Sequence, residues 1–411
     1  MKTKTTPARF RYTIFKQLCN LIPPHLVNHL AQEHGAADRS RTFSPWSHVL
    51  SLMFAQAARA CGLNDVCDAL RMHAGALATL RGATPPSRNN FSHANKVRSA
   101  TMAEALFWAM LDHLGAQSPA FAKGKIRSGY LRRFHSAIHA VDSTVIHLVA
   151  NCLDWAAHRR RKAAAKCHLR LNLQSFLPSC VILDSARPHD NAKSRELCAG
   201  LKTGEIALFD MAYVDLEHLL ELTGRGIWWV TRLRETLRWR AVKNNRATDN
   251  PRILKDQLIG LCGKKGAKRY PHHLRLVVAL VEVDGQDVEM SFLTNNVSWS
   301  GWTVAELYRA RWDIEVFFRE IKQTLQLTDF VGHNANAVAW QIWTALLVHL
   351  LMRYLAHLSR WGHSFTRLFC VVRACLWERW HLFSTLQRYG TARPPGRICG
   401  RPEQAYLPHF A

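Results

Sequence analysis

The stretch AELYRARWDIEVFFREIKQTL, residues 305–325, sets Tyr308, Arg311, Glu315 and Lys322 along one segment. Its spacing predicts one continuous helix. At ~100° per residue, the steps between these positions bring all four side chains within roughly 60° of one another. One carboxylate is then flanked by two cations and a phenol, the set a site needs to hold a metal ion beside a phosphate backbone. Taken alone, the same stripe also fits a surface ladder in which Glu315 pairs with Arg311 or Arg319 at i±4.

Upstream, two further carboxylates stand where a site would want them. AIHAVDSTVIHLV (137–149) is β-rich and apolar on both sides of Asp142, where an unpaired charge is costly unless it meets a cation. EIALFD reads as a short strand ending at Asp210 immediately before a helix through Tyr213 to Leu222, a position where α/β folds put ligands. Asp142, Asp210 and Glu315 would give three oxygen donors from three elements, which suits Mg²⁺ or Mn²⁺. Two such ions could activate a nucleophile and stabilise the leaving oxygen at a phosphodiester. Each carboxylate taken singly also has a plain structural reading, as a cap or an ion-pair partner.

Around these residues the texture is mixed α/β. KCHLRLNL alternates, with Lys166, His168, Arg170 and Asn172 on one face, open either to DNA or to solvent. SCVILDSARP gives a third strand and Asn191 to Leu201 a helix. IWWVTRLRETLRWRAV, LRLVVALVEVDG and DVEMSFLTN read as a β-rich region over about 226–298. His139 alternates onto the face opposite Asp142 and reads as structural. Thr303 with Glu306 predicts a capping box opening the Tyr308 helix, and a second long helix is expected from Asn336 to Leu358.

Residues 1–120 read as all helical. Trp46 to Arg59 and Leu63 to Met72 have helical apolar spacing, with Asn64 as a cap for the second. After Pro85-Pro86 comes SRNNFSHANKVR (87–98), rich in side chains suited to phosphates and base edges, with Arg88, Asn89, Asn95 and Lys96 as DNA-binding candidates. A helix-turn-helix fits this region, and so does an ordinary capped helix with a solvated face.

The bulk numbers name the partner class. The net charge is +25, from 55 Lys plus Arg against 30 Asp plus Glu, an excess that calls for a polyanion, nucleic acid first and anionic membrane second. The eleven cysteines are scattered with no C-x-x-C pair, as expected of thiols in a reducing cytoplasm. No secretory signal is read at the start. Ile342 to Leu358, the most apolar stretch, is interrupted by His349, Arg353 and His357 and reads as a core helix rather than a membrane span. The densest charge run, His158 to Lys162, fits a phosphate-gripping loop or a solvated surface, and the tail from Thr391 reads as loose.

Tyr308-x2-Arg311-x3-Glu315-x6-Lys322 resembles the Y-R-E-K signature of bacterial insertion-sequence DDE transposases, in the group named for insertion sequence four. AVDSTVIHL around Asp142 looks like that family's first-aspartate motif and LFDMAYVDLEHL like its second. KCHLRLNL, the WVTRLR strand, SFLTNN and NANAVAWQIW extend the likeness. FKQLCNLIPP, FSPWSHVLSLMFAQ and SRNNFSHANKVR resemble the helical domain that precedes the catalytic core in many members.

The resemblance implies an RNase H-like mixed sheet flanked by helices, with a β-rich insertion between Asp210 and Glu315 and an all-helical N-terminal domain. The boundaries expected are 1–120, 121–360 and a helical C-terminal segment with a tail at 361–411. It implies that Asp142, Asp210 and Glu315 are the catalytic, metal-binding triad for Mg²⁺ or Mn²⁺, two ions, and that Tyr308, Arg311 and Lys322 contact phosphates. The implied activity is cleavage at transposon ends and strand transfer, on terminal inverted repeats and target DNA, by a cytoplasmic homodimer without a membrane role. Two departures stand out. Met211 takes a place where a basic residue is frequent, and Met290 takes the place of the tryptophan that holds a flipped base in members using a hairpin. A domesticated or inactive DNA-binding protein, or an RNase H-like nuclease without strand transfer, would share part of this pattern.

Overall fold

In the computed structural model, the described residues are 7–36, 43–60, 62–124, 131–148, 157–159, 162–185, 190–245, 250–283, 285–324, 332 and 334–389. The side chains of the His158–Lys162 run and the tail from Thr391 lie outside this set. The chain divides into two units: Met1–Phe121 with Arg319–Ala411, and Ala122–Phe318.

The second unit is built on a ten-stranded sheet. Its strands are β1 (Ile138–Leu148), β2 (Ala157–Arg159), β3 (Lys162–Asn172), β4 (Leu177–Ser185), β5 (Ile206–Phe209), β6 (Trp228–Arg232), β7 (Trp239–Asn244), β8 (Ile253–Leu261), β9 (Leu274–Val283) and β10 (Gln286–Thr294). The spatial order is β2-β3-β1-β5-β6-β10-β9-β8-β7, with β4 also on β3. β1, β5 and β6 run parallel, whereas β3 is antiparallel to β1. From β6 onward every pairing, through β10, β9 and β8 to β7, is antiparallel.

The sequence explains this division. IALF of β5 is buried along its whole length, as a central parallel strand must be. The parallel step from β5 to β6 needs a crossover, supplied by the helix Leu216–Gly224. Val141, Phe209, Tyr213, Leu219, Leu222, Trp229, Leu276 and Leu293 share one buried cluster. Trp229 is fully buried, and its indole N–H donates to Thr223 Oγ1 at 3.0 Å. IWWVTRLRETLRWRAV is not one strand: β6 ends at Arg232, and β7 begins at Trp239 on the far edge of the sheet.

Two expectations about faces are corrected. His168 and Arg170 reach neither solvent nor DNA. His168 is 0% exposed with Nδ1 3.3 Å from the Tyr213 hydroxyl, and Arg170 donates to Ser179 Oγ and to the carbonyls of Ser179 and Leu197. The helix Asp190–Cys198 packs on β3 and covers that face. His139 is buried, as its alternation implied, beside Glu205 at 3.4 Å.

The first unit is helical. The helix Ala335–Leu358 packs against Pro45–Ala58, Arg88–Val97 and Thr101–Gln117, and so groups with the N-terminal helices. Asn336 ties it in: its amide donates to the carbonyls of Asn95 and Arg98, and its Oδ1 accepts from the Ala100 N–H. Burial of most of this helix inside the unit accounts for its apolar length. Gly62, not Asn64, stands at the N-cap of Leu63–Met72, without a side-chain bond. Ser87 caps Arg88–Val97 by accepting from the Asn90 N–H.

Candidate active site

The register of the central strands sets the two aspartates side by side. The last parallel pair between β1 and β5 is Val141 with Phe209, so Asp142 and Asp210 each follow by one residue. β5 stops there while β1 runs on to Leu148. The edge of β1 beside Asp142 is therefore open at the carboxyl end of β5, where α/β sheets offer room for a ligand.

Each aspartate is anchored by backbone. Asp142 Oδ1 accepts from the Ser143 N–H and Asp210 Oδ1 from the Met211 N–H, both at 2.7 Å. The second bond caps a short 3₁₀ turn, Met211–Tyr213, that stands where a helix from Tyr213 was expected; the α-helix begins only at Leu216.

The third carboxylate arrives on a segment that is not one helix. Gly301–Ala310 ends and Asp313–Thr324 begins across Arg311 and Trp312. The N–H groups of Arg311, Trp312, Ile314 and Glu315 all bond three residues back instead of four, so the backbone tightens there. The first helix is capped by Ser300, which accepts from the Thr303 N–H, and Glu306 pairs with Arg309. The expected Thr303–Glu306 capping box is thus replaced by a cap three residues earlier.

Across this tightened turn, Arg311 gathers the site. It donates from Nη1 to Asp142 Oδ2 at 3.1 Å and from Nη2 to Glu315 Oε1 at 3.0 Å. The Tyr308 hydroxyl lies 3.4 Å from Asp210 Oδ1, with its ring 4.8 Å from that of Phe292 and 5.4 Å from the Arg311 guanidinium carbon. The structure thus brings together Asp142, Asp210, Tyr308, Arg311 and Glu315. Lys322 lies further along Asp313–Thr324, exposed, in the part of the helix assigned to the other unit.

The electrostatics follow from burial. Desolvation pushes the Asp142 carboxyl up to about 6, against the pull of Arg311 and the Ser143 N–H, with Asp210 and Glu315 adding to the rise. Burial pushes the Tyr308 hydroxyl up to about 12, so it stays a hydrogen-bond donor. Arg311 is held above its ordinary value: its own burial opposes the charge, but Tyr308 and the three carboxylates outweigh it.

Among the described residues, no group of three or more His, Cys, Asp and Glu side chains is gathered closely enough to hold a metal ion as it stands. The donor set nevertheless fits a hard divalent cation. Oxygen donors come from three separate elements, and burial, with Asp210 and Glu315 adding to it, pushes the Asp142 carboxyl up, a charge balance that an added cation would relieve.

Two neighbours went unnoticed in the sequence. Arg232, the last residue of β6, acts electrostatically on Tyr308, and Trp312 is 44% exposed in the turn beside Arg311. The carboxyl end of a third parallel strand would have pointed to Arg232. In the helical unit, Arg88, Asn89 and Lys96 are exposed. Asn95 is not: it is 1% exposed, with Oδ1 2.8 Å from His48 Nε2, because Ala335–Leu358 covers that side of its helix. Contrary to the expectation, its side chain is not open to DNA.

The family described as "Transposase DDE domain" matches residues 134–351, and a "Domain of unknown function (DUF4372)" matches residues 11–80. A Geobacillus stearothermophilus protein named "Probable transposase for insertion sequence element IS5377" is 27% identical over 224 residues, covering 54% of this chain and 58% of that one. Transposase InsG for insertion sequence element IS4 of Escherichia coli is 23% identical over 193 residues, covering 45% and 42%. The chain therefore spans only about half the length of these relatives. A chain from a piggyBac transposase synaptic complex with hairpin DNA aligns over 98% of this chain and 91% of its own, at 9% identity and a TM-score of 0.44. The family match covers more than half of the sequence and contains Asp142, Asp210, Tyr308, Arg311, Glu315 and Lys322: the chain belongs to the DDE transposases.

Proposed function

We propose that this chain is a divalent-metal-dependent DNA transposase that cuts at the ends of its element and joins them to target DNA. The observation that carries the reading is the convergence of Asp142, Asp210 and Glu315 on Arg311 and Tyr308. The order β4-β3-β1-β5-β6, with β1, β5 and β6 parallel and β3 antiparallel, supports an RNase H-like core. The antiparallel run β7–β10 supports an insertion between Asp210 and Glu315.

Asp142, Asp210 and Glu315 would hold Mg²⁺ or Mn²⁺, two ions in this reading. When bound, such ions activate water at a phosphodiester and neutralise the leaving oxygen. The chain's own groups orient the rest. Backbone N–H groups of Ser143 and Met211 fix the aspartates. Tyr308 offers a hydroxyl donor, Arg311 a planar fork and Lys322 a point charge to phosphates of the strand being cut. Terminal repeats would be bound through the exposed Arg88, Asn89 and Lys96 of Arg88–Val97, and pairing two ends would require a dimer acting on DNA in a bacterial cytoplasm.

The test supplies a duplex carrying the element's end, a target plasmid and Mg²⁺. Joined product is expected. Cutting without joining would make the chain a nuclease, and binding without cutting would leave it a DNA-binding protein.

A further inference from the structure

We infer that Arg311 is a built-in counter-cation of the acidic centre, which an entering divalent cation has to displace from Asp142 and Glu315; this rests on reading those carboxylates as cation ligands. Arg311 is 6% exposed and spends its two terminal nitrogens on carboxylates from two separate elements. Asp142 Oδ1 accepts from the Ser143 N–H, and Arg311 holds its other oxygen, Oδ2. A cation coordinating that oxygen, at the roughly 2.1 Å that Mg²⁺ requires, would compete with the guanidinium for it and repel its charge.

Two features mark this arrangement as one that can be exchanged. Arg311 Nε is buried with no hydrogen-bond partner, so the guanidinium leaves a donor unmet where it sits. A purely structural buried arginine in the same unit is bonded more fully: Arg170 donates from Nε and from both terminal nitrogens. Arg311 also stands in the tightened turn between two helices, not within either. Once released it would remain beside Tyr308, the other group available to grip a phosphate. Arg311 is thus a positioning residue that keeps the carboxylates facing one another and gives them up when a cation arrives.

Mn²⁺ binding to the full chain without DNA, followed by loss of the free-ion electron paramagnetic resonance signal, tests this together with thermal melting. Arg311→Gln is expected to bind Mn²⁺ about tenfold more tightly than the parent, because a neighbouring positive charge has been removed from the ligands. In EDTA it should melt roughly 5 °C or more below the parent, since three facing carboxylates lose their counter-charge, and saturating Mn²⁺ should close the gap. A folded Arg311→Gln that binds Mn²⁺ equally or more weakly overturns the inference, because a merely structural arginine would not restrain the cation. If that variant does not fold with or without Mn²⁺, Arg311→Lys decides, as its shorter, single-point ammonium replaces the two-nitrogen fork that holds Asp142 and Glu315. Binding several-fold tighter than the parent supports displacement, and unchanged or weaker binding refutes it. If the parent and both variants bind no Mn²⁺ at all, the cation reading of the centre falls, and this inference with it.

Discussion

Asp142→Asn should stabilise the fold at neutral pH while abolishing cleavage. The carboxyl is only 18% exposed and is pushed from an ordinary 3.8 to about 6. Ionising it in the folded state therefore costs ~3 kcal/mol more than in the unfolded chain. A raised carboxyl contributes its stability below the unfolded value and loses it as pH rises through about 6, because the folded state then binds more protons than the unfolded one. Asparagine keeps the shape and never ionises. Its advantage over aspartate, measured by urea unfolding in EDTA, should be about 0.5 kcal/mol at pH 4, roughly 1.5 at pH 5 and ~3 at pH 8. Divalent cation reverses the order, since the parent gains binding energy that the variant has lost. An advantage that does not change between pH 4 and pH 8, or an Asn variant less stable than the parent at pH 8 in EDTA, would refute the reasoning.

Other changes sort the remaining residues. Arg88→Gln and Lys96→Gln, both exposed, should each lower the salt slope of DNA binding by about 1 while altering stability by less than ~0.5 kcal/mol. Arg170→Ala should cost about 3 kcal/mol in denaturant unfolding, because it strands buried acceptors, yet leave the salt slope of DNA binding unchanged. Trp229→Ala empties a fully buried site and should cost roughly 3–5 kcal/mol in the same assay.

What the sequence made legible was local. The alternation of β1 and β3 says which residues share a face, and the apolar run of β5 says that it is central. Neither says what covers a face. His168 and Arg170 are buried by a helix that follows one further strand, and Asn95 by one that begins at Ala335, some 240 residues later in the sequence. The steps among Tyr308, Arg311 and Glu315 brought those residues together, but the turn at Arg311–Trp312 was hidden because nothing there breaks a helix: no glycine or proline interrupts the segment. That turn depends on tertiary demands, with Arg311 reaching Asp142 on a strand far earlier in the chain. The pairing of Asp142 with Asp210 was readable as two strand-borne acids, and only the register of β1 on β5 shows them in adjacent rows.

The central claim is that Asp142, Asp210 and Glu315 together form the cutting site. Its most direct test is strand cleavage of a duplex carrying the element's end, in Mg²⁺, by the parent and by Asp142→Asn, Asp210→Asn and Glu315→Gln. The parent should cut, and each variant should bind the same duplex but cut roughly a thousandfold more slowly or worse. Any one of the three cutting as fast as the parent would contradict the account.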